Sequence, residues 1–442
     1  MPAATAQRRI TRLASLTPVH RAFHWLHLHQ PQLRQWQLEI VRIPAPPFGE
    51  ADRAAWFLDR FHQLGLTNIH LDDEGNALAE LQPAAESSQP NQPTKSHASQ
   101  SVKSVKSAVE SPAPPCLLIS AHLDTVFSAG TLCDPVEDPD NARIYAPGIC
   151  DNAAGLTALL AMAACLHYAK IQPPIPILFA ANVGEEGEGD LRGMRHLFTR
   201  GPYHGRIAAA LALEGGGTNT VVTRGLGSRR LRVTINGSGG HSWTDAGTPN
   251  PILILSRALS RIAELPLPHT PRTTINVGHI SGGTSINSIP ESASALLDLR
   301  STDPLQLPVI EQDVRTILEA IVTSATREAT RQRPAHTPPT LQIEVIGNRP
   351  AGALPDSSPL LHTLRAVDRH LTLRTEPRIG STDANIPLAL GIPALALGSG
   401  GMGGGIHTLQ EWYDPTGRET ALRRILLTLL DTAQLIAQSL ET

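Results

Sequence analysis

The chain has 442 residues, of which 41% are hydrophobic and 17% charged, with a formal net charge of -3. That length permits two domains with sizeable cores, and the near-neutral balance excludes the basic field that nucleic-acid binding needs. The four cysteines, Cys116, Cys133, Cys150 and Cys165, have neither a paired zinc-ligand spacing nor the density of a disulfide scaffold, so a reducing cytoplasm is expected.

Arg8, Arg9 and Arg12 open the chain, but Pro18, His20, Arg21 and His24 interrupt the stretch after them, so neither a signal peptide nor a membrane span is expected. "LRQWQLEIVRIPAPPFGEADRAAWFLDRFHQLGL" has helical periodicity on both sides of a break at Pro44 to Pro47, and "NIHLDDEGNALAEL" alternates as a hairpin turning at Glu74-Gly75-Asn76. Residues 84–113, rich in Ser, Pro, Gln and Lys, bury too little apolar surface to order themselves and are expected to form a mobile insertion. The apolar runs "CLLISAHLD", "PIPILFAANVG" and "AALALEGG" then alternate with the helical "AGLTALLAMAACLHYAK", which predicts α/β architecture with a mostly parallel sheet flanked by helices. From 228 to 348 the order becomes β-α-β-β-α-β, a ferredoxin-like α+β unit, and from 349 the α/β pattern resumes to the closing helix. The expected organisation is a first domain, residues 1–227 and 349–442, interrupted by a second, residues 228–348.

Ligands of open α/β sheets collect beyond the carboxyl ends of the strands. There this chain places His122 and Asp124, then Asp151 before a helix, Glu185 and Glu186, Glu214, and His407 in a glycine-rich loop. Singly, each has an ordinary explanation: a hydrogen-bonded histidine, an N-cap, a solvated glutamate pair. Together they would set several carboxylates against one another at one edge, an arrangement that cations neutralise, and mixed imidazole and carboxylate donors suit zinc, cobalt or manganese better than calcium.

The succession "HLD", "GICDNAAG", "GEEGEGD", "LEGG" and "IHTLQEW", interrupted by the βαββαβ unit, resembles the co-catalytic dinuclear zinc peptidase family of carboxypeptidase G, tripeptidase T, acetylornithine deacetylase, succinyl-diaminopimelate desuccinylase and the aminoacylases. The resemblance implies a zinc-exopeptidase-like fold with the inserted unit as a lid and dimerisation domain. It makes Asp151 a carboxylate shared by two metals, with His122 and Glu214 on one and Glu186 and His407 on the other. Asp124 would accept the ring N–H of His122, and Glu185 would be the general base that takes a proton from a metal-bridged water attacking the carbonyl. "INGSGGHSW" matches the family's lid histidine at His241, acting in cis or from a partner subunit. "SINSIPESASALLDLR" matches its substrate-binding Asn287 and Arg300, and the Asp151-Asn152 peptide is expected to be cis.

The implied activity is metal-dependent exopeptidase hydrolysis of small peptides with two divalent ions, most simply Zn2+, in a homodimer joined through the lids. An N-acyl-amino-acid amidohydrolase needs the same machinery and is the alternative within the enzyme class. A non-catalytic binding protein with a decayed metal site is the alternative outside it. Glu214 matches carboxypeptidase G where tripeptidases have Asp, while "GEEGEGDLRG" leans towards the tripeptidases, so the substrate stays open at this point.

Overall fold

The computed structural model describes residues 3–83, 113–332 and 337–441. The expected insertion at 84–113 therefore lies, apart from Ala113, outside the described residues. Two sheets, each with its own core, organise the rest. The larger runs in the order Thr67–Leu71, Ala77–Leu81, Ile177–Asn182, Cys116–His122, Ile207–Glu214, Ala394–Gly398, Thr220–Gly225 and Gly352–Ala353, with Glu376–Gly380 pairing alongside Thr220–Gly225. Its four middle strands, from Ile177–Asn182 to Ala394–Gly398, are parallel.

Every residue of Cys116–His122 and of Ile177–Asn182 is buried, as continuous apolar runs require when helices cover both faces. The helix Ala153–Ala169 is apolar over nearly its whole surface and packs on Cys116–His122 and Ile207–Glu214, beside the closing helix Arg418–Leu440, which touches the same strands. Because the middle strands run the same way, their last residues share one edge. His122 stands beside Asn182, and Glu214 beside Gly398.

The smaller sheet is antiparallel throughout, in the order Thr273–Gly282, Ser292–Ser301, Gly227–Asn236, Thr340–Arg349. Ser292–Ser301 alternates buried and part-exposed residues, the period-two pattern of a sheet with one face on a core. That core, including Leu231, Val233, Leu297 and Leu299, is closed by the helices Pro251–Ala263 and Gln306–Gln332. Each such leucine contributes about 1.5–3 kcal/mol by leaving water. The chain leaves the larger unit and returns to it on neighbouring strands, with Ser228 opposite Arg349.

The glycine run before His407 is more ordered than the loop expected there. Met402–Gly404 pairs with Trp412–Asp414, and two further short strands, Ile144–Tyr145 and Val136–Glu137, complete a small sheet. Glycine is required here by close approach, since a Cβ on Gly403 would lie 2.3 Å from Cys150 Sγ. The loop bearing His407 thus rests directly on the loop bearing Asp151.

Candidate active site

The strand ends and the two loops beside them, one before the helix Ala153–Ala169 and one after Met402–Gly404, bring five side chains into one cluster. His122 Nε2 lies 3.2 Å from Asp151 Oδ1 and 3.7 Å from Glu214 Oε2. On the other side of the same carboxylate, His407 Nε2 lies 3.2 Å from Asp151 Oδ2 and 2.9 Å from Glu186 Oε1. Asp151 therefore turns each of its two oxygens towards a different histidine. Ligand atoms of His122, Asp151 and Glu214, and of Asp151, Glu186 and His407, fall within 4.8 Å of one another. Two donors on a tetrahedral zinc, each bonded at ~2.1 Å, stand about 3.4 Å apart, so these separations fit an ion between them.

Local structure explains why Asp151 is free to do this. The helix that follows is capped by Asn152, whose side chain accepts from Gly155 N, so the Asp151 carboxylate has no capping duty. The Asp151-Asn152 peptide is cis. Glu185 and Glu186 follow their strand in a loop that closes on itself, and a Cβ on Gly189 would meet the Gly184 backbone at 2.5 Å.

Electrostatics point the same way. Burial pushes the Glu185 and Glu214 carboxyls above their ordinary range. Desolvation also opposes the Asp151 charge, but the hydrogen bonds with His122 and His407 overcome it and hold that carboxyl low. Asp151 and then Glu186 raise His407 to about 10. Burial works against a charge on His122, yet Asp124, Asp151 and Glu214 raise it well above the usual imidazole value. Clustered acids that draw protons onto neighbouring histidines form a site short of positive charge, and a divalent cation supplies it. The donor set fits the metal that the sequence resemblance implies.

Asp124 works differently from expectation. His122 Nδ1 meets the Asp124 main-chain carbonyl at 3.0 Å, whereas the Asp124 carboxylate stands 3.7 Å away. That carboxylate, fully buried, instead accepts from Glu185 N at 2.9 Å and Glu186 N at 2.6 Å. The strand ends at His122, so the alternation that would put both side chains on one face stops before Asp124. One residue thus orients the imidazole through its backbone and the glutamate pair through its side chain.

A cavity of about 200 Å³ opens on the cluster, with Glu185, Arg300, Arg230 and Arg349 in its wall. Arg300 donates to Asp298 at 2.7 Å. His241 and Asn287 do not line it. They stand on the exposed tip of the smaller unit, where Gly240–His241 pairs with Ser288–Ile289 and Ser242 N donates to the Asn287 carbonyl.

Three residues near the cluster escape the sequence reading. Arg349 donates to Glu185 Oε1 and to Ser381 Oγ, each at 3.1 Å, and also to the Glu185 carbonyl. Glu411 is fully buried and accepts from Gly148 N, Cys150 N and Asp151 N at 2.8–3.0 Å. Asp383, raised to about 7 by burial, accepts from Asn182 Nδ2 at 2.8 Å. Only Glu411, four residues after His407, carried a local signal, as an acid beside the aromatic pair Trp412 and Tyr413.

Solved structures share this architecture. Aminopeptidase PepT of Bacillus cereus superposes with a TM-score of 0.66 at 19% identity, covering 91% of this chain and 99% of its own. The dipeptidase Dug1p of Saccharomyces cerevisiae gives 0.65 at 13% identity, covering 94% and 98%. At these identities the likeness is one of fold. Among curated sequences, a probable carboxypeptidase of Talaromyces marneffei is 27% identical over 239 residues, 49% of this chain and 50% of the relative. The chain spans about half the length of the curated relatives it matches. The match that decides membership runs from residue 118 to residue 433, through every residue of the cluster, and by it the chain belongs to the peptidase family M20/M25/M40.

Proposed function

We propose that this protein is a metal-dependent exopeptidase acting on small peptides. The observation that carries the reading is the Asp151 carboxylate, with one oxygen facing His122 and the other facing His407. His122 and Glu214 would hold one divalent ion and Glu186 and His407 the other, with Asp151 shared, and imidazole with carboxylate favours zinc, with cobalt or manganese as substitutes. When bound, such ions polarise a carbonyl and make water acidic near neutral pH.

Glu185 also lies within 4.8 Å of His122 and Glu186, but Arg349 engages one of its oxygens and its carbonyl, which suits a base held in place better than a ligand. Burial raises the affinity of Glu185 for a proton, as a group that takes one from water and returns it to a departing amine requires. Arg300 offers a guanidinium fork to a substrate carboxylate in the same cavity.

The lid role and the dimer belong to the same proposal. Among the described residues Thr273–Gly282 is an unpaired edge of the smaller sheet, with Val277 and Ile280 exposed, and Trp243 and Ile286 stand 84% and 103% exposed beside His241 and Asn287. Pairing two such edges would cover them and offer His241 to a partner's cavity. Among the described residues no helix is long and apolar enough to cross a membrane, and all four cysteines are free thiols, which supports a reducing cytoplasm.

The test is a pair of variants assayed for turnover and metal content over added zinc. Glu185→Gln should keep its metal and lose activity on the order of 10⁴-fold, while Glu186→Gln should lose metal and recover partly when zinc is supplied. Near wild-type turnover in both variants ends the enzymatic reading. Dipeptides, tripeptides and N-acetyl amino acids in the panel separate peptidase from amidohydrolase.

A further inference from the structure

A second cavity, of about 320 Å³, shares Asp151 and Glu214 with the first. Its wall is made by Val222, Ala396, Ile406 and the backbone of Gly216 and Gly403, with Arg378 as the one cation among the lining residues. Val222 and Ala396 stand opposite each other on paired strands, which makes this wall part of the rigid sheet. No catalytic role assigned above uses it.

We propose that this cavity is the subsite for a large apolar side chain on the acyl side of the scissile amide, so that the favoured substrates are peptides with a residue such as leucine or phenylalanine there. The inference rests on the exopeptidase reading. In hydrolysis the C–N bond breaks, a C–O bond to the water oxygen forms, and the amine departs with the proton that Glu185 held. Glu185 lines the first cavity and not the second, so the departing amine lies in the first, where Arg300 and Arg230 suit its carboxylate. The acyl portion then extends past Asp151 and Glu214 into the second.

Size and charge narrow the occupant. At about 320 Å³ the space lies within the range of small-molecule sites and would be nearly empty around an acetyl group, so the geometry favours an aminoacyl over an acetyl substrate. Apolar walls reward each buried methylene, which in such pockets is worth roughly 10–200-fold in discrimination. Arg378 has a side chain 64% exposed and its nearest acid, Glu376, 3.9 Å away, so a lysyl or arginyl side chain would meet like charge.

The experiment uses the full chain loaded with zinc and compares leucyl-, phenylalanyl-, glycyl- and lysyl-alanine with N-acetyl-alanine. Calorimetry with free leucine and free glycine supplies a second readout. Leucyl- and phenylalanyl-alanine should exceed glycyl-alanine and N-acetyl-alanine in kcat/KM by tenfold or more, and leucine should bind more tightly than glycine. Val222→Phe fills the cavity and should bring the leucyl-to-glycyl ratio close to one. Arg378→Glu, at an exposed position that leaves the sheet intact, should raise lysyl-alanine relative to leucyl-alanine by roughly tenfold. A wild-type preference for glycyl-alanine, or a Val222→Phe protein that folds and keeps the original ratio, overturns the proposal while leaving the exopeptidase reading standing, whereas a preference for N-acetyl-alanine overturns both in favour of the amidohydrolase. Silence on every substrate by zinc-loaded protein removes that reading and the subsite with it.

Discussion

Glu411 makes no contact with the histidines or glutamates of the cluster, yet replacing it should loosen the metal site. Its two oxygens accept from three amides of one loop, Oε2 from Gly148 N at 3.0 Å and Oε1 from Cys150 N at 2.8 Å and Asp151 N at 2.9 Å. In Glu411→Gln the amide carbonyl can keep the Cys150 and Asp151 bonds, but the new NH2 then faces the Gly148 N–H, donor against donor. One charge-assisted bond, worth about 1.5–3 kcal/mol, is lost, and relief of a buried charge offsets part of it, leaving a net cost of about 1–2 kcal/mol. Glu411→Ala strands three buried amides and should cost at least about 3 kcal/mol. The loop that loses these bonds presents Asp151, so metal affinity should fall about 10–100-fold in Glu411→Gln, as for other residues that orient ligands from behind. Zinc titration calorimetry on metal-free protein and urea unfolding read the two effects separately. Unchanged zinc affinity together with an unchanged unfolding midpoint in Glu411→Gln would show that Glu411 does not hold the Asp151 loop in place.

Arg349→Ala removes the cation that draws the Glu185 carboxyl down against burial, so the acidic limb of the pH–rate profile should move to higher pH, and an unmoved limb would show that Arg349 does not tune Glu185. Asp368→Ala leaves the fully buried Arg424, now bonded to that carboxylate at 2.6 and 3.0 Å, without its counter-charge, and should cost about 3–5 kcal/mol in denaturant unfolding. Thiol titration at about pH 8 should label Cys133 alone in the native protein and all four cysteines after denaturation, because Cys133 is part-exposed, although burial raises its thiol, whereas Cys116, Cys150 and Cys165 are buried and the Cys116 thiol is pushed up to about 12.

The parallel strands were legible because each is a continuous apolar run, three of them ending abruptly in His122, Asn182 or Glu214, and in a parallel sheet such ends share an edge. His122, Glu186 and Glu214 were accessible to that logic, while Asp151 before its helix and His407 in its glycine-rich loop were legible through the motifs that carry the family resemblance. Arg349 was not, since it lies 164 residues from Glu185 and reads as one more polar residue closing a strand. Asp124 shows where spacing misleads: the i, i+2 rule applies only while the strand continues, and this strand stops at His122. The small sheet around Met402–Gly404 was hidden for a related reason, because glycine lacks the side chains that make a strand pattern visible and is needed there for contact with Cys150.

The pairing of Ser228 with Arg349 bears on how the gene could have been assembled and could be taken apart. Adjacent strands lie only about 4.8 Å apart, so the host fold sees the whole excursion as a detour that returns next to its starting point. Closing a loop whose ends are already neighbours demands little chain entropy however long the detour, since that term grows only with the logarithm of length. The excursion can therefore be lengthened, exchanged for another unit or cut back to a tight turn with little penalty to the host. What such a turn could not replace are Arg230 and Arg300 in the cavity wall, and Arg349, which closes the last strand of the detour and grips Glu185.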